Sequence, residues 1–206
     1  MLDRVAEAGS ARGERREAPL DHMREHILLT ADRLFYGEGI RAVSMDRIIA
    51  SANVAKATMY RHFPTKDALI LAYLHRRNEV VTGAMRRALD AAGAQAAGTA
   101  RVARLFDWLE TRVLDAGFRG CTFVLAAGEY GHDEQVRRIV IAHKNALIDM
   151  LRGALEASLQ DRHPELAQEL ACVYEGAISE AMVRGDPVVV RRAARIAQWL
   201  LERPRA

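Results

Sequence analysis

No stretch of this chain alternates apolar and polar residues for long enough to build a β-strand. Apolar side chains recur instead at helical spacing, in segments separated by Gly, Pro and Asn. Ile27, Leu28, Ala31, Leu34 and Phe35, for example, share one face of a helix read from about Asp21 to Tyr36. Alanine, the strongest helix former, is abundant, whereas valine, threonine and aromatic residues are sparse. The chain is therefore expected to be all-α.

Local stop and start signals divide the 206 residues into about nine helices. Gly37 and Gly39 end the first. Ser44 suits the N-cap of a short helix over 45–52, with Asp46 near its positive end. Asn53 follows, a residue that tolerates the left-handed backbone of a tight turn. A second short helix, from Ala55 to about His62, stops before Phe63-Pro64, and Thr65 caps a fourth helix that continues to about Asp90. Segment 91–99 reads as a loop, and further helices are expected over 100–115, 121–130, 133–160, 164–184 and 187–202. All five prolines are placed at helix edges or in loops. Residues 1–19 carry too little apolar surface to offset their ordering entropy and read as a flexible tail.

Several functions are excluded at this level. No window offers the roughly 20 apolar residues of a membrane span. Acidic residues scattered among the first arginines leave no apolar signal segment. Two cysteines, Cys121 and Cys172, make no disulfide framework, so a cytoplasmic protein is expected. Glu129, His132, Asp133 and His143 match no standard zinc spacing, and neither metal nor cofactor is expected. With no phosphate loop, nucleophile elbow or catalytic carboxylate pair, the chain does not read as an enzyme. Cys121 reads as a small packing residue, with a redox role as the alternative.

Two short helices across a tight turn form the core of a helix-turn-helix, whose second helix can enter the DNA major groove. Ile48, Ala52, Val54, Met59 and Phe63 can hold them together, leaving Lys56, Ala57, Tyr60 and Arg61 outward. Within 41–66, Arg41, Arg47, Lys56, Arg61 and Lys66 face Asp46 alone, a net of +4 where the whole chain carries +3. Positive charge is thus concentrated where phosphate would be met.

The run Ser44-Met45-Asp46-Arg47-Ile48, with Val54 through Leu69, resembles the DNA-binding region of TetR-family transcriptional regulators. The spacing from Tyr60 through Phe63 and Lys66 to Leu69 carries most of that signal, and Leu34 to Ile40 matches the end of the family's first helix. The resemblance covers roughly residues 20–75. Gly117 to Phe123 with Glu129, and Gly185-Asp186-Pro187, are similar to motifs in one subset of TetR-like C-terminal domains. Departures are Asn53 for a usual glycine, Ile49 for a small residue, Ala55 for a hydroxyl residue and Ala57 for a glycine.

The resemblance implies a helix-turn-helix domain over 20–66, joined by a long fourth helix to a helical effector-binding and dimerisation domain over 67–206. It implies double-stranded DNA with a palindromic operator as partner, phosphate contacts from Thr58, Tyr60, His62 and Lys66, and help from Ser44. Lys56, beside Ala55 and Ala57, is the base-reading candidate, and Arg47 serves backbone or base. Tyr60 and His62 also suit a purely structural place over the small core.

A regulator of this kind needs a second site for a small apolar or amphipathic effector. Phe106, Trp108, Leu109, Phe118, Phe123, Leu125, Tyr130, Ile139 and His143 are the pocket candidates, though the same residues serve equally as core. Gly176, Ala177, Ala181, Ala193, Ala194 and Ala197, with Leu170, Tyr174, Ile178, Trp199 and Leu200, suit a homodimer through the last two long helices or an internal helix pair. The function expected is a one-component transcriptional repressor released by its effector. The alternative is a small-molecule binding protein of the same fold without specific DNA binding.

Overall fold

The computed structural model describes the backbone of residues 11–93 and 95–204, with side chains from His22 onward except at 157, 158 and 162. Every regular element among them is helical. The chain divides into two compact units, one ending at Tyr73 and the other beginning at Leu74.

The first unit contains α1 (Ala11–Glu38), α2 (Met45–Ala52), α3 (Lys56–His62) and the opening of α4 (Lys66–Asp90). Ile27, Leu28, Ala31 and Phe35 of α1 are buried with Ile48 and Ala52 of α2, Met59 of α3, and Phe63. Tyr73 adds an edge-to-face contact with Phe35, ring centroids 5.3 Å apart. Each such large apolar side chain contributes about 1.5–3 kcal/mol on burial. Val54, expected in this core, is only half-buried.

Two expectations for the N-terminal region change. Residues 1–10 of the expected tail lie outside the described residues, while 11–19 belong to α1, which starts about ten residues earlier than expected. Ala, Arg and Glu dominate 11–18, and their helix propensity carries the helix back. Pro19 consequently sits inside a helix, forgoing one bond to the carbonyl four residues before it.

The second unit holds the rest of α4, then α5 (Gly98–Val113), α6 (Thr122–Tyr130), α7 (Glu134–Ala154), α8 (Ala157–Arg162), α9 (Leu166–Arg184) and α10 (Val188–Glu202). Its core is built from Leu105, Phe106 and Leu109 of α5, Leu147 and Leu151 of α7, Leu166, Leu170 and Tyr174 of α9, and Ala197 and Leu201 of α10. No helix among the described residues is long and apolar enough to cross a membrane.

The helix expected over 133–160 is two helices, giving ten among the described residues in place of about nine. Leu155 and Glu156 turn extended, with ψ of 146° and 148°. Gln160 Nε2 donates to the carbonyls of Arg152 (2.7 Å) and Leu155 (3.2 Å) that the break exposes. Gly98 packs directly on the break: a Cβ there would stand 2.8 Å from the Ala154 carbonyl oxygen. The stop between α9 and α10 falls where expected. Gly185 takes φ +63°, and Asp186 Oδ1 accepts from the Val188 amide at 2.9 Å.

Candidate nucleic-acid interface

Local capping fixes the two short helices of the first unit. Ser44 Oγ accepts from the Arg47 amide at 3.1 Å, with Asp46 in the first turn of α2. Asn53 ends α2 at φ 51°, ψ 49°, the left-handed turn anticipated for it, and its amide reaches the Ala50 carbonyl at 3.3 Å. Ala55 begins α3 with no side-chain cap, but its carbonyl accepts from the Thr58 and Met59 amides at 2.9 and 3.1 Å. Ile49 sits half-buried and still leaves α2 and α3 in contact. Thr65 Oγ1 caps α4 by accepting from the Ala68 amide at 3.1 Å.

The outer face of α3 carries Lys56, Ala57, Tyr60 and Arg61, all exposed, with Tyr60 at 38%. Ser44, Arg47 and Ala55 are exposed nearby, and Thr58 is half-buried. Lys56 Nζ lies 5.9 Å from the centre of the Tyr60 ring and 3.6 Å from Asp46 Oδ1. Arg47 Nη2 pairs with Glu38 Oε1 at 3.2 Å, and Lys66 Nζ donates to the Arg41 carbonyl at 3.3 Å. Exposed pairs of this kind contribute about 0–1 kcal/mol, so phosphate can displace the acids at little cost.

His62 differs from its neighbours. Its Nε2 is enclosed without a hydrogen-bond partner, and its pKa is lowered by burial first, then by the Arg61 and Arg24 charges. Arg24 lies across the Phe63 ring, 5.1 Å from its centre. A phosphate contact from His62 therefore requires its ring to turn or its other nitrogen to serve.

The sequence does not single out His26 or Glu38, and Asp46 stands out in it only as an acidic residue at the start of α2. His26 Nε2 donates to the Ala52 carbonyl at 2.9 Å, tying α1 to the end of α2 just before the turn. Glu38 and Asp46 act as counter-ions to Arg47 and Lys56. Separations of 26, 9 and 10 residues leave no local pattern from which to read these pairings.

In the second unit, most pocket candidates are core. Phe106, Leu109, Phe123, Ile139 and His143 are buried, and Trp108, Phe118, Leu125 and Tyr130 are half-buried. Phe106 meets Tyr174 edge to face at 5.7 Å and lines a groove of about 400 Å³ with Val102, Asp107, Ala197, Gln198 and Leu201. Phe123 stacks on His143 at 3.7 Å, Nδ1 of which donates to Asn78 Oδ1 at 2.8 Å. Burial, with a smaller effect of Lys144, lowers the His143 pKa to about 3. Tyr130 stacks on His132, and Asp133 caps α7 through the Gln135 and Val136 amides.

The small-residue set proposed for dimerisation mostly serves the internal pairing of α9 with α10. Ala177, Ala181, Ala193, Ala197, Leu170, Tyr174, Ile178 and Leu200 are buried within the chain, and Ala194 is half-buried. Gly176 and Trp199 of that set are exposed. Trp199 (65%), Ile196 (51%), Val183 (77%) and Met182 (40%) are large apolar side chains that these helices leave uncovered.

Comparison with known proteins agrees with this geometry. Residues 27–73 match the family model for bacterial regulatory proteins of the tetR family. The transcriptional activator FasR of Mycolicibacterium smegmatis is 34% identical over 94 residues, which take in 41% of this chain and 43% of FasR. The match thus spans less than half of that relative. The transcriptional regulator YjdC of Escherichia coli is 26% identical over 184 residues, covering 86% of this chain and 93% of YjdC. A solved TetR-family transcriptional regulator from Streptomyces coelicolor superimposes with a TM-score of 0.75 at 32% identity, over 88% of this chain and 95% of that one. With a helix-turn-helix in its first unit and a helical second unit, the chain belongs to the TetR family of bacterial transcriptional regulators.

Proposed function

We propose that this regulator is a cytoplasmic repressor that binds a palindromic operator as a homodimer and leaves it when a small amphipathic molecule enters its second unit. The observation that carries the DNA-binding part is the exposed cationic face of α3. Lys56, Tyr60 and Arg61 stand outward there, held by caps and a buried apolar base on the other side. Lys56 reads base edges, while Thr58, Tyr60, Lys66 and Ser44 position phosphate. Ala57 places a methyl group where a thymine methyl can meet it.

Two-fold symmetry would offer two copies of α3 to two half-sites. The uncovered Ile196, Trp199 and Val183, beside exposed Gly176, support an interface on α9 and α10. Replacing Lys56 and Tyr60 by Ala together should abolish specific duplex binding, measured by fluorescence anisotropy, while circular dichroism stays unchanged. Undiminished specific binding would refute the assignment of α3. The similarity to FasR, a named activator, favours activation as the second reading. Fusing the bound sequence upstream of a reporter distinguishes the two by the sign of the change.

A further inference from the structure

In the second unit, residues far apart in sequence form a polar cluster around Cys121. Lys144 Nζ of α7 donates to Cys121 Sγ at 3.5 Å and pairs with Glu175 Oε2 of α9 at 2.5 Å. Cys121 is half-buried at the N-terminus of α6, and the Lys144 side chain is 28% exposed, so a small oxidant has access to both. The Tyr174 hydroxyl is wholly buried with no hydrogen-bond partner, and Glu175 Oε1 is likewise enclosed and unpaired. Burial, then the neighbouring Glu175 and Cys121, raise the Tyr174 pKa, which keeps the phenol protonated. Fewer than one buried polar group in ten is left unpaired. Glu175 Oε1 belongs to the carboxylate that pairs with Lys144 beside the thiol, and it is free to accept one more hydrogen there.

We propose that Cys121 and Lys144 form a reversible sulfur–nitrogen bond when a hydroperoxide oxidises the thiol. The Cys121 thiolate attacks the terminal oxygen of the hydroperoxide, forming sulfenic acid and releasing the alcohol, or water from hydrogen peroxide. Glu175 takes a proton from the Lys144 ammonium, the free amine attacks sulfur, and the hydroxyl leaves as water. Sulfur is oxidised by two electrons, the peroxide is reduced, and the protein loses two hydrogens. Two thiols restore the amine and thiol while becoming a disulfide.

The site lies beside two contacts to α4. Thr122, next to Cys121, accepts from Arg77 Nε at 3.1 Å, and His143, next to Lys144, bonds Asn78. A covalent link from 121 to 144 therefore bears on the helix whose first turn holds Lys66. Bond formation is read by mass alone, so its failure is distinct from any failure of DNA binding.

The full chain carrying Cys172→Ser is treated with hydrogen peroxide, quenched and mapped by peptide mass spectrometry. The expected product joins the peptides of residues 121 and 144, is two hydrogens lighter than their sum, and disappears with dithiothreitol. Adding Lys144→Arg should abolish it and leave a sulfenic acid at Cys121 that dimedone traps. Glu175→Gln should slow its formation. Peroxide that leaves Cys121 a thiol, or carries it to sulfinic acid with no joined peptide, overturns the proposal.

Discussion

Lys56 Nζ stands 3.6 Å from Asp46 Oδ1, so the lysine assigned to read DNA carries a counter-ion supplied by α2. Both side chains are largely exposed, and Asp46 also lies in the first turn of its helix, where a negative charge is favourable. Its two effects oppose one another. Asp46 favours the fold slightly and competes with phosphate for Lys56.

Asp46→Asn is accordingly expected to raise affinity for any duplex several-fold at low salt, while lowering stability by no more than about 1 kcal/mol. Lys66→Ala should act in the other direction, weakening binding on all sequences alike and reducing the slope of log K against log salt by about 1. Anisotropy titrations at several salt concentrations, with urea unfolding alongside, check both.

Asn53 tests the turn. Its φ of 51° costs a side-chain-bearing residue strain that glycine escapes. Asn53→Gly should be neutral or stabilising by a few tenths of a kcal/mol, whereas Asn53→Ala should cost about 1 kcal/mol. Chemical denaturation of the two variants checks the difference, which should also show in duplex affinity because the turn aims α3.

His143 makes stability depend on pH. Burial and Lys144 hold its folded pKa at about 3, against an ordinary value of 6.5 in the unfolded chain. The unfolded state therefore binds the proton more readily, and stability falls as pH drops from 6.5 towards 3. This one group should remove about 2 kcal/mol by pH 5. The pH 7 to pH 5 difference in unfolding free energy, compared between wild type and His143→Gln, should shrink by that amount in the variant.

Tyr174→Phe removes a hydroxyl that has no partner. Leaving a buried polar group unpaired costs about 1–3 kcal/mol, so the variant should be as stable as wild type or more stable by about 1 kcal/mol. Thermal unfolding of the reduced protein checks this.

What was legible in the sequence was local. Ser44, Asn53, Thr65 and Gly185 each set a helix boundary through their own backbone or side chain, and the helix-turn-helix emerged from three of them. The start of α1 was missed because propensity alone carries 11–18, without the apolar stripe that marks helices elsewhere. The break after Ala154 depends on Gly98 and Gln160, one of them distant in sequence, and has no signal in the 133–160 pattern. Aromatic and small residues at helical spacing could not be divided between core, pocket and interface. The fold places most of them in the core, and leaves Trp199 and Ile196 uncovered. The pairing of Cys121 with Lys144 spans 23 residues and two helices, beyond any spacing rule.

Selection of bound duplexes from a random DNA pool, at near-physiological salt with reduced protein and no added ligand, tests the central claim most directly. Enrichment of one palindrome, lost in the Lys56→Ala, Tyr60→Ala variant, is the predicted result. A folded protein that retains every sequence equally, with binding that falls steeply as salt rises, would contradict it and leave a ligand-binding protein on a regulator's fold.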